Sequence, residues 1–287
     1  MASATDKLRA LLAEPGAHVT PACYDALSAR LIERAGFRVS FMSGFAVSAA
    51  RLGMPDTGLI SYAEMVDQGR AICDAVSIPV IGDADTGYGN ALNVKRTVKG
   101  YARAGFACAM VEDQVAPKRC GHTRGKQVVG RDEACARIQA AVDAREEGAD
   151  ILIMARTDAR ATDGFDEALW RVRAFAGIGA DILFLEAPRD ETEMRAFCAG
   201  VDRPAMANMV EQGDTPVLPP AMLAEMGFRI IAYPLTLMNA SILAMEKALA
   251  ALKDGRPPDN LAEFAHLRDI VGFPDYYEAE KKYASGE

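Results

Sequence analysis

The chain has 287 residues, half of them hydrophobic and a quarter charged, with 24 Gly and 14 Pro, which is the composition of an ordinary globular protein long enough to bury a large core without staples. Forty acidic residues against 32 Lys and Arg give a formal charge of −8. That balance argues against nucleic-acid and anionic-membrane partners, but not against a small anionic substrate gripped by a few cations in one cleft. The opening MASATDKLRALLAEPG is broken by charges and no apolar run is long enough to span a bilayer, so a cytoplasmic protein without a targeting segment is expected. The six cysteines form no C-x-x-C pair, and all but Cys120 sit in Ala-rich or apolar contexts that suit core fillers.

In chain order, an apolar, β-branched run repeatedly follows an amphipathic stretch that ends in Gly. The pattern predicts strand 18–23, helix 24–35, strand 38–43, helix 61–76, strand 78–83, helix 91–104, strand 107–112 and helix 132–147. Strand 151–156, helix 165–178, strand 182–186, helix 191–199, strand 204–208, helix 219–226, strand 229–233 and helix 237–253 complete it. Gly36, Gly105, Gly148, Gly179 and Gly227 stand where a left-handed C-cap would stop a helix. Runs such as Ile151-Leu152-Ile153-Met154 suit a parallel sheet buried on both faces. Eight β-then-α units predict an α/β fold, a (β/α)8 barrel forming a single domain over 1–287. Residues 255–287 exceed what eight units need and read as a C-terminal helical extension whose Tyr and Phe pack on the barrel or on a neighbouring subunit.

In such a barrel the chemistry sits where strands end. The strand ends here carry Ser43-Gly44-Phe45, Asp83-Ala84-Asp85-Thr86-Gly87, Glu112-Asp113-Gln114, Arg156-Thr157-Asp158, Glu186, and Asn208 with Glu211. One polar residue at a strand end is ordinarily a cap or turn former; several carboxylates with an Arg among them are harder to explain that way. Asp83, Asp85 and Glu112 are hard oxygen donors with no His or thiolate interleaved, a set that favours Mg²⁺ or Mn²⁺ over zinc. The alternative is that Asp83 and Asp85 cap the helix starting near Asn90. In Lys118-Arg119-Cys120-Gly121-His122, basic groups surround one thiol and would lower its pKa, as suits an acid or nucleophile on a loop. The alternative is a solvated basic loop with an incidental Cys.

The segments GDADTGYGN (82–90), VEDQ (111–114), KRCGH (118–122), MARTDA (154–159) and NMVEQG (208–213) together resemble the isocitrate lyase and phosphoenolpyruvate mutase superfamily over nearly the whole chain. Lys118 to His122 points to its carbon–carbon lyase branch, which includes methylisocitrate lyase, dimethylmalate lyase and oxaloacetate hydrolase. The resemblance implies a barrel whose last helix is swapped between subunits of a homotetramer. It also implies Mg²⁺ held by Asp83 and Asp85, with Glu112 and Asp56 acting through metal-bound water. By the same resemblance Ser43, Gly44 and Phe45 cradle one substrate carboxylate, Arg156 grips the α-oxyacid end, and Cys120 is the catalytic cysteine beside Gly121 and His122. Glu186, Asn208 and Arg268 fall at further substrate contacts.

What the resemblance implies for the reaction is cleavage of a 2-hydroxy dicarboxylate by retro-aldol or retro-Claisen chemistry. Cys120 would protonate the departing enolate, which Arg156, His122 and Asn208 stabilise; Glu112 and a metal-bound hydroxide both remain open as the base. Two departures from methylisocitrate lyases bear on the substrate. Where those enzymes carry an Arg for a third carboxylate, this chain reads Tyr233-Pro234-Leu235-Thr236-Leu237-Met238-Asn239, and their Asn-Ile-Thr is Asn208-Met209-Val210. Phe41 likewise replaces a Tyr. A di- rather than tricarboxylate is therefore expected. Hydrolysis or decarboxylation of oxaloacetate on the same scaffold, and a non-catalytic metabolite-binding oligomer, are the competing readings.

Overall fold

A computed structural model of the chain describes residues 2–120 and 125–283. Two units are distinguished, Met1–Leu237 and Met238–Glu287. The first runs α1 (Ala4–Ala13), β1 (His18–Cys23), α2 (Ala26–Arg34), β2 (Ser40–Met42), α3 (Gly44–Leu52), α4 (Tyr62–Ala75), β3 (Val80–Asp83), α5 (Ala91–Ala104), β4 (Cys108–Glu112) and α6 (Arg131–Glu146). It continues with β5 (Leu152–Thr157), α7 (Ala159–Thr162), α8 (Phe165–Ile178), β6 (Ile182–Leu185), α9 (Glu191–Ala199), β7 (Ala205–Asn208), α10 (Pro220–Met226) and β8 (Phe228–Tyr233). Helix α11 (Thr236–Lys253) leads into the second unit, which also contains α12 (Phe264–Ile270) and α13 (Phe273–Lys281). None of the helices among the described residues is long and apolar enough to cross a membrane.

The eight strands close into one barrel in sequence order, all parallel, with β1 paired to both β2 and β8. Alternation along each strand divides the apolar residues into two layers. Outward residues such as Ala109, Val111, Ile153 and Leu183 pack beneath the helices. Inward residues, among them Phe41, Ile81, Met110, Met154, Phe184 and Met206, fill the barrel interior together with Leu8 and Leu11 of α1. Two positions further along five of these strands come Asp83, Glu112, Arg156, Glu186 and Asn208. The inward row thus changes from apolar to charged or polar at the C-terminal end of the sheet, where the barrel places its site.

Local contacts hold that end in place. A Cβ on Gly82 would come within 2.8 Å of Phe106 and Tyr101, so glycine leaves room for their stacked rings, 4.7 Å apart. The Tyr101 hydroxyl in turn donates to the Asp83 carbonyl at 2.7 Å. In the second unit, α11 exposes Leu243, Leu249 and Leu252, and Phe264 and Tyr276 are exposed on α12 and α13.

Candidate active site

Asp83 ends β3 with both carboxylate oxygens engaged. Oδ1 accepts from the Asp85 amide at 3.0 Å and Oδ2 from the Gly44 amide at 3.2 Å. A Cβ at Gly44 would lie 2.6 Å from Asp83 Oδ2, so only glycine lets the first turn of α3 come this close. Asp85 takes a left-handed conformation (φ 48°), and its carbonyl accepts from the Glu112 amide at 2.9 Å. Helix α5 is capped by Asn90, whose side chain accepts from the Leu92 and Asn93 amides. Asp83 and Asp85 are thus not spent as caps.

Lys118 enters this group from the loop after β4. Its Nζ lies 2.6 and 2.7 Å from the two Asp56 oxygens and 2.8 Å from Asp85 Oδ1, with all three side chains only 5% exposed. Burial works against the ammonium, but Asp85, Asp83, Asp56 and Glu112 together hold its pKa well above the ordinary lysine value. The Asp85 carboxyl is raised too, to about 6: burial is the largest cause, Lys118 opposes the rise, and Asp83 and Asp56 add to it. Burial also raises Glu112 well above the usual carboxylate range, against the pull of Arg156. Glu112 Oε1 has no hydrogen-bond partner among the described residues.

Arg156 lies beside Glu112 because β4 and β5 pair in that register. Its guanidinium meets Asp158 twice, at 2.8 and 3.0 Å, Glu186 Oε2 at 3.0 Å and Glu112 Oε2 at 3.3 Å, and sits 5.1 Å from the centre of the Phe184 ring. Burial disfavours the charge, yet Asp158, Glu186 and Glu112 keep its pKa well above the ordinary arginine value. Lys126 Nζ reaches Asp158 at 3.4 Å, and Asn208 Nδ2 donates weakly to Glu186 at 3.3 Å. Among the described residues, six buried carboxylates (Asp56, Asp83, Asp85, Glu112, Asp158, Glu186) face the cations of Lys118, Lys126 and Arg156.

A cavity of about 180 Å³ opens onto this array. Ser43, Phe45, Asp56, Asp83, Cys120, Arg156, Glu186 and Asn208 line it, and Phe41, Phe184, Met206, Val210, Pro234 and Leu235 form an apolar wall. Asp85 and Glu112 lie behind this surface, and Gly44 reaches it through Asp83. Ser43 also caps α3, its side chain accepting from the Ala46 amide at 3.3 Å. Gly121 and His122 lie outside the described residues. Arg268 belongs to the second unit, where it donates to Tyr277 Oη at 3.2 Å and faces the Phe264 and Phe273 rings. The sequence pattern places Asp158 at the end of β5 with Arg156 but gives it no role, and no local pattern marks Lys118 and Lys126 as ion partners.

The donor chemistry suits Mg²⁺: every candidate ligand is a carboxylate, Glu112 has an oxygen to spare, and negative charge is in excess. Among the described residues no three His, Cys, Asp or Glu groups are disposed to hold a metal ion, and the Lys118 ammonium lies between Asp56 and Asp85. The residue types therefore fit the ion, with a lysine as the present counter-charge.

The family model described as phosphoenolpyruvate phosphomutase matches residues 8–253. The 2,3-dimethylmalate lyase of Eubacterium barkeri is 43% identical over 284 residues, covering 98% of each chain. A structure of oxaloacetate acetylhydrolase in complex with the inhibitor 3,3-difluorooxalacetate superposes with a TM-score of 0.94 at 37% identity, covering 99% of this chain and 98% of that one. A structure of phosphonopyruvate hydrolase with oxalate and Mg²⁺ gives a TM-score of 0.88 at 29% identity, covering 99% and 100%.

Proposed function

From the premise that the chain belongs to the phosphoenolpyruvate phosphomutase family, we propose that it is a Mg²⁺-dependent carbon–carbon lyase. It cleaves a 2-hydroxy dicarboxylate of the alkylmalate kind to an α-oxo acid and a carboxylic acid. One observation carries this reading: a cavity of about 180 Å³ joins a thiol, an arginine and an excess of buried carboxylates to an apolar wall. That volume is below the roughly 300–1,000 Å³ of sites for drug-sized ligands, so a small substrate is indicated. Three more carboxylates than cations would repel a dianion, and an added divalent cation offsets two of those charges.

Asp83 and Asp85 would hold Mg²⁺ with Glu112 and Asp56 close by, and the ion would supply Lewis acidity to the substrate's 2-hydroxyl and neighbouring carboxylate. Arg156 grips the α-oxyacid end, while the Ser43 hydroxyl and the backbone at Phe45 cradle the other carboxylate, beside the Gly44 amide that holds Asp83. Glu112, whose Oε1 has no hydrogen-bond partner among the described residues, accepts the hydroxyl proton. The oxygen's electrons form the new C=O, the bond between C2 and C3 breaks, and its electron pair leaves with C3 as the enolate of a carboxylic acid. The Cys120 thiol gives its proton to C3. The resulting thiolate recovers the proton that Glu112 took, so the cycle closes without an external oxidant or reductant.

The likeness to oxaloacetate acetylhydrolase favours a second reading in which oxaloacetate is cleaved by water to oxalate and acetate on the same residues. The exposed apolar residues of α11 to α13 support a homotetramer in which further copies of the chain cover them, with helices swapped between subunits. A panel of 2-hydroxy and 2-oxo dicarboxylates assayed with Mg²⁺ tests the function. Pyruvate or another α-oxo acid from alkylmalates supports the lyase, oxalate from oxaloacetate alone supports the hydrolase, and no turnover of either class refutes both.

A further inference from the structure

We propose that Gln114 is a positioning residue that aims the Cys120 thiol into the cavity by holding the backbone of the residue before it. The proposal rests on the reading of Cys120 as the proton donor. Gln114 follows β4 by two residues and is 1% exposed. Its carbonyl accepts from Arg137 Nη1 at 2.7 Å, and its backbone bridges to Val128, so the loop between them leaves and returns at this residue. The neighbouring bonds from the Val115 amide to the Gln127 carbonyl (2.8 Å) and from the Val129 amide to the Asp113 carbonyl (2.9 Å) close the same neck.

From that fixed base the Gln114 side chain reaches across to Arg119. Nε2 donates to the Arg119 carbonyl at 2.9 Å, and Oε1 accepts from the Arg119 amide at 2.9 Å. A primary amide carries an NH₂ and a C=O side by side, so one N–H and the oxygen satisfy both backbone groups of one residue as a strand partner would. Lys118, one residue earlier, is tied to Asp56 and Asp85. Two consecutive residues are therefore anchored to different parts of the barrel end, and the next one, Cys120, lines the cavity. The Asp113 carboxylate, by contrast, is engaged away from the loop, accepting from Thr157, the Asp158 amide and Arg171.

The chemistry of the clamp selects the test. Glutamate has the same length but would set a carboxylate oxygen against the Arg119 carbonyl. Asparagine keeps the amide but is about 1.5 Å, one bond, too short. Steady-state kinetics with the dicarboxylate best turned over and Mg²⁺ would compare wild type, Gln114→Glu, Gln114→Asn, Cys120→Ser and the double variant Gln114→Glu/Cys120→Ser. Gln114→Glu is expected to lower kcat at least tenfold with KM within about threefold, since Arg156 and Ser43 are untouched. In the Cys120→Ser background it is expected to change kcat less than twofold, because the group it aims has gone. Alkylation of Cys120 by iodoacetamide, followed by peptide mass, should change in rate in the same variant. Gln114→Asn serves as the second probe if the glutamate does not fold, with a smaller fall in kcat expected.

Unchanged kcat in a folded Gln114→Glu would overturn the proposal. An equal fall in both backgrounds would overturn it too, by showing an effect independent of the thiol. Near-normal turnover by Cys120→Ser is a separate result: it would remove the thiol from the mechanism, and the purpose assigned to Gln114 with it.

Discussion

Lys118 Nζ lies 2.8 Å from Asp85 Oδ1, so the counter-charge of the carboxylate group comes from the loop that carries Cys120. An ammonium and a divalent cation there answer the same excess of negative charge. Breaking a buried ion pair by removing one partner typically costs about 3–5 kcal/mol. Lys118→Met should therefore melt markedly lower than wild type without metal and recover part of the loss in Mg²⁺, gaining more from the ion than wild type does. Thermal denaturation with and without Mg²⁺ measures both quantities. An equal Mg²⁺ shift in the two proteins would show that lysine and metal do not share the site.

Metal dependence of turnover follows from the same carboxylates. Chelation should abolish activity, Mg²⁺ or Mn²⁺ should restore it, and Asp85→Ala should lose the response. Full turnover in excess chelator would exclude the ion from the mechanism.

Gly44→Ala tests how tightly α3 and β3 are fitted. The added Cβ would meet Asp83 Oδ2 at 2.6 Å, where both oxygens of the carboxylate are already engaged. Overpacking of this kind costs about 1–3 kcal/mol. The larger effect should be on activity, with kcat/KM down at least a hundredfold in a protein that still folds, because the carboxylate must turn away. Circular dichroism beside kinetics separates the two, and near-normal kcat/KM would mean that Asp83 can move without consequence.

Much of this architecture is legible as period and punctuation. The strand predicted at 18–23 matches β1 residue for residue, and the others agree within two residues at each end, because a buried parallel strand is a continuous apolar run bounded by a helix C-cap. Helix α3 was not legible. Ser43-Gly44-Phe45 reads as a strand end and, by the resemblance, as a cradle for a carboxylate, with no signal that Ser43 is an N-cap and Gly44 already belongs to a helix. Helix α1 is not marked by the strand-then-helix pattern, because Leu8 and Leu11, with Ala4 and Leu12 beside them, pack against a barrel interior that no local window contains. The site divides along the same line. Glu112 and Arg156 stand out as strand-end charges, whereas Lys118 reaching Asp56 joins residues 62 apart in sequence.

Cys120→Ser should lower kcat strongly while leaving Mg²⁺-supported binding of a non-reacting analogue such as oxalate close to normal, since Arg156 and the residues that would hold the ion are untouched. A hydroxyl is a far weaker acid than a thiol, so the fall is expected to be about a hundredfold or more, within the range of general acid–base effects. Turnover within threefold of wild type would assign the proton to another group.

Substrate size is decided at the apolar wall. Phe41, Met206, Val210 and Leu235 line the cavity and bring no cation to a further carboxylate. The stretch Tyr233 to Asn239, which by the resemblance stands where methylisocitrate lyases carry an arginine, holds no charged residue. Leaving one charge of a buried pair without its partner costs roughly 2–5 kcal/mol. At about 1.4 kcal/mol per tenfold, that is a penalty of about 30-fold to several thousand-fold in specificity constant. Dicarboxylates of the oxaloacetate or alkylated malate kind should thus be turned over in preference to isocitrate and methylisocitrate. An alkyl group on C3 should lower KM by gaining the wall's contacts, at about 0.8 kcal/mol per buried methylene. Introducing a cation at the wall, as in Val210→Arg or Leu235→Arg, should narrow the preference by penalising the alkyl substrates first. The decisive measurement is kcat/KM for methylisocitrate beside the best dicarboxylate. Equal values would place a cation at that end of the pocket.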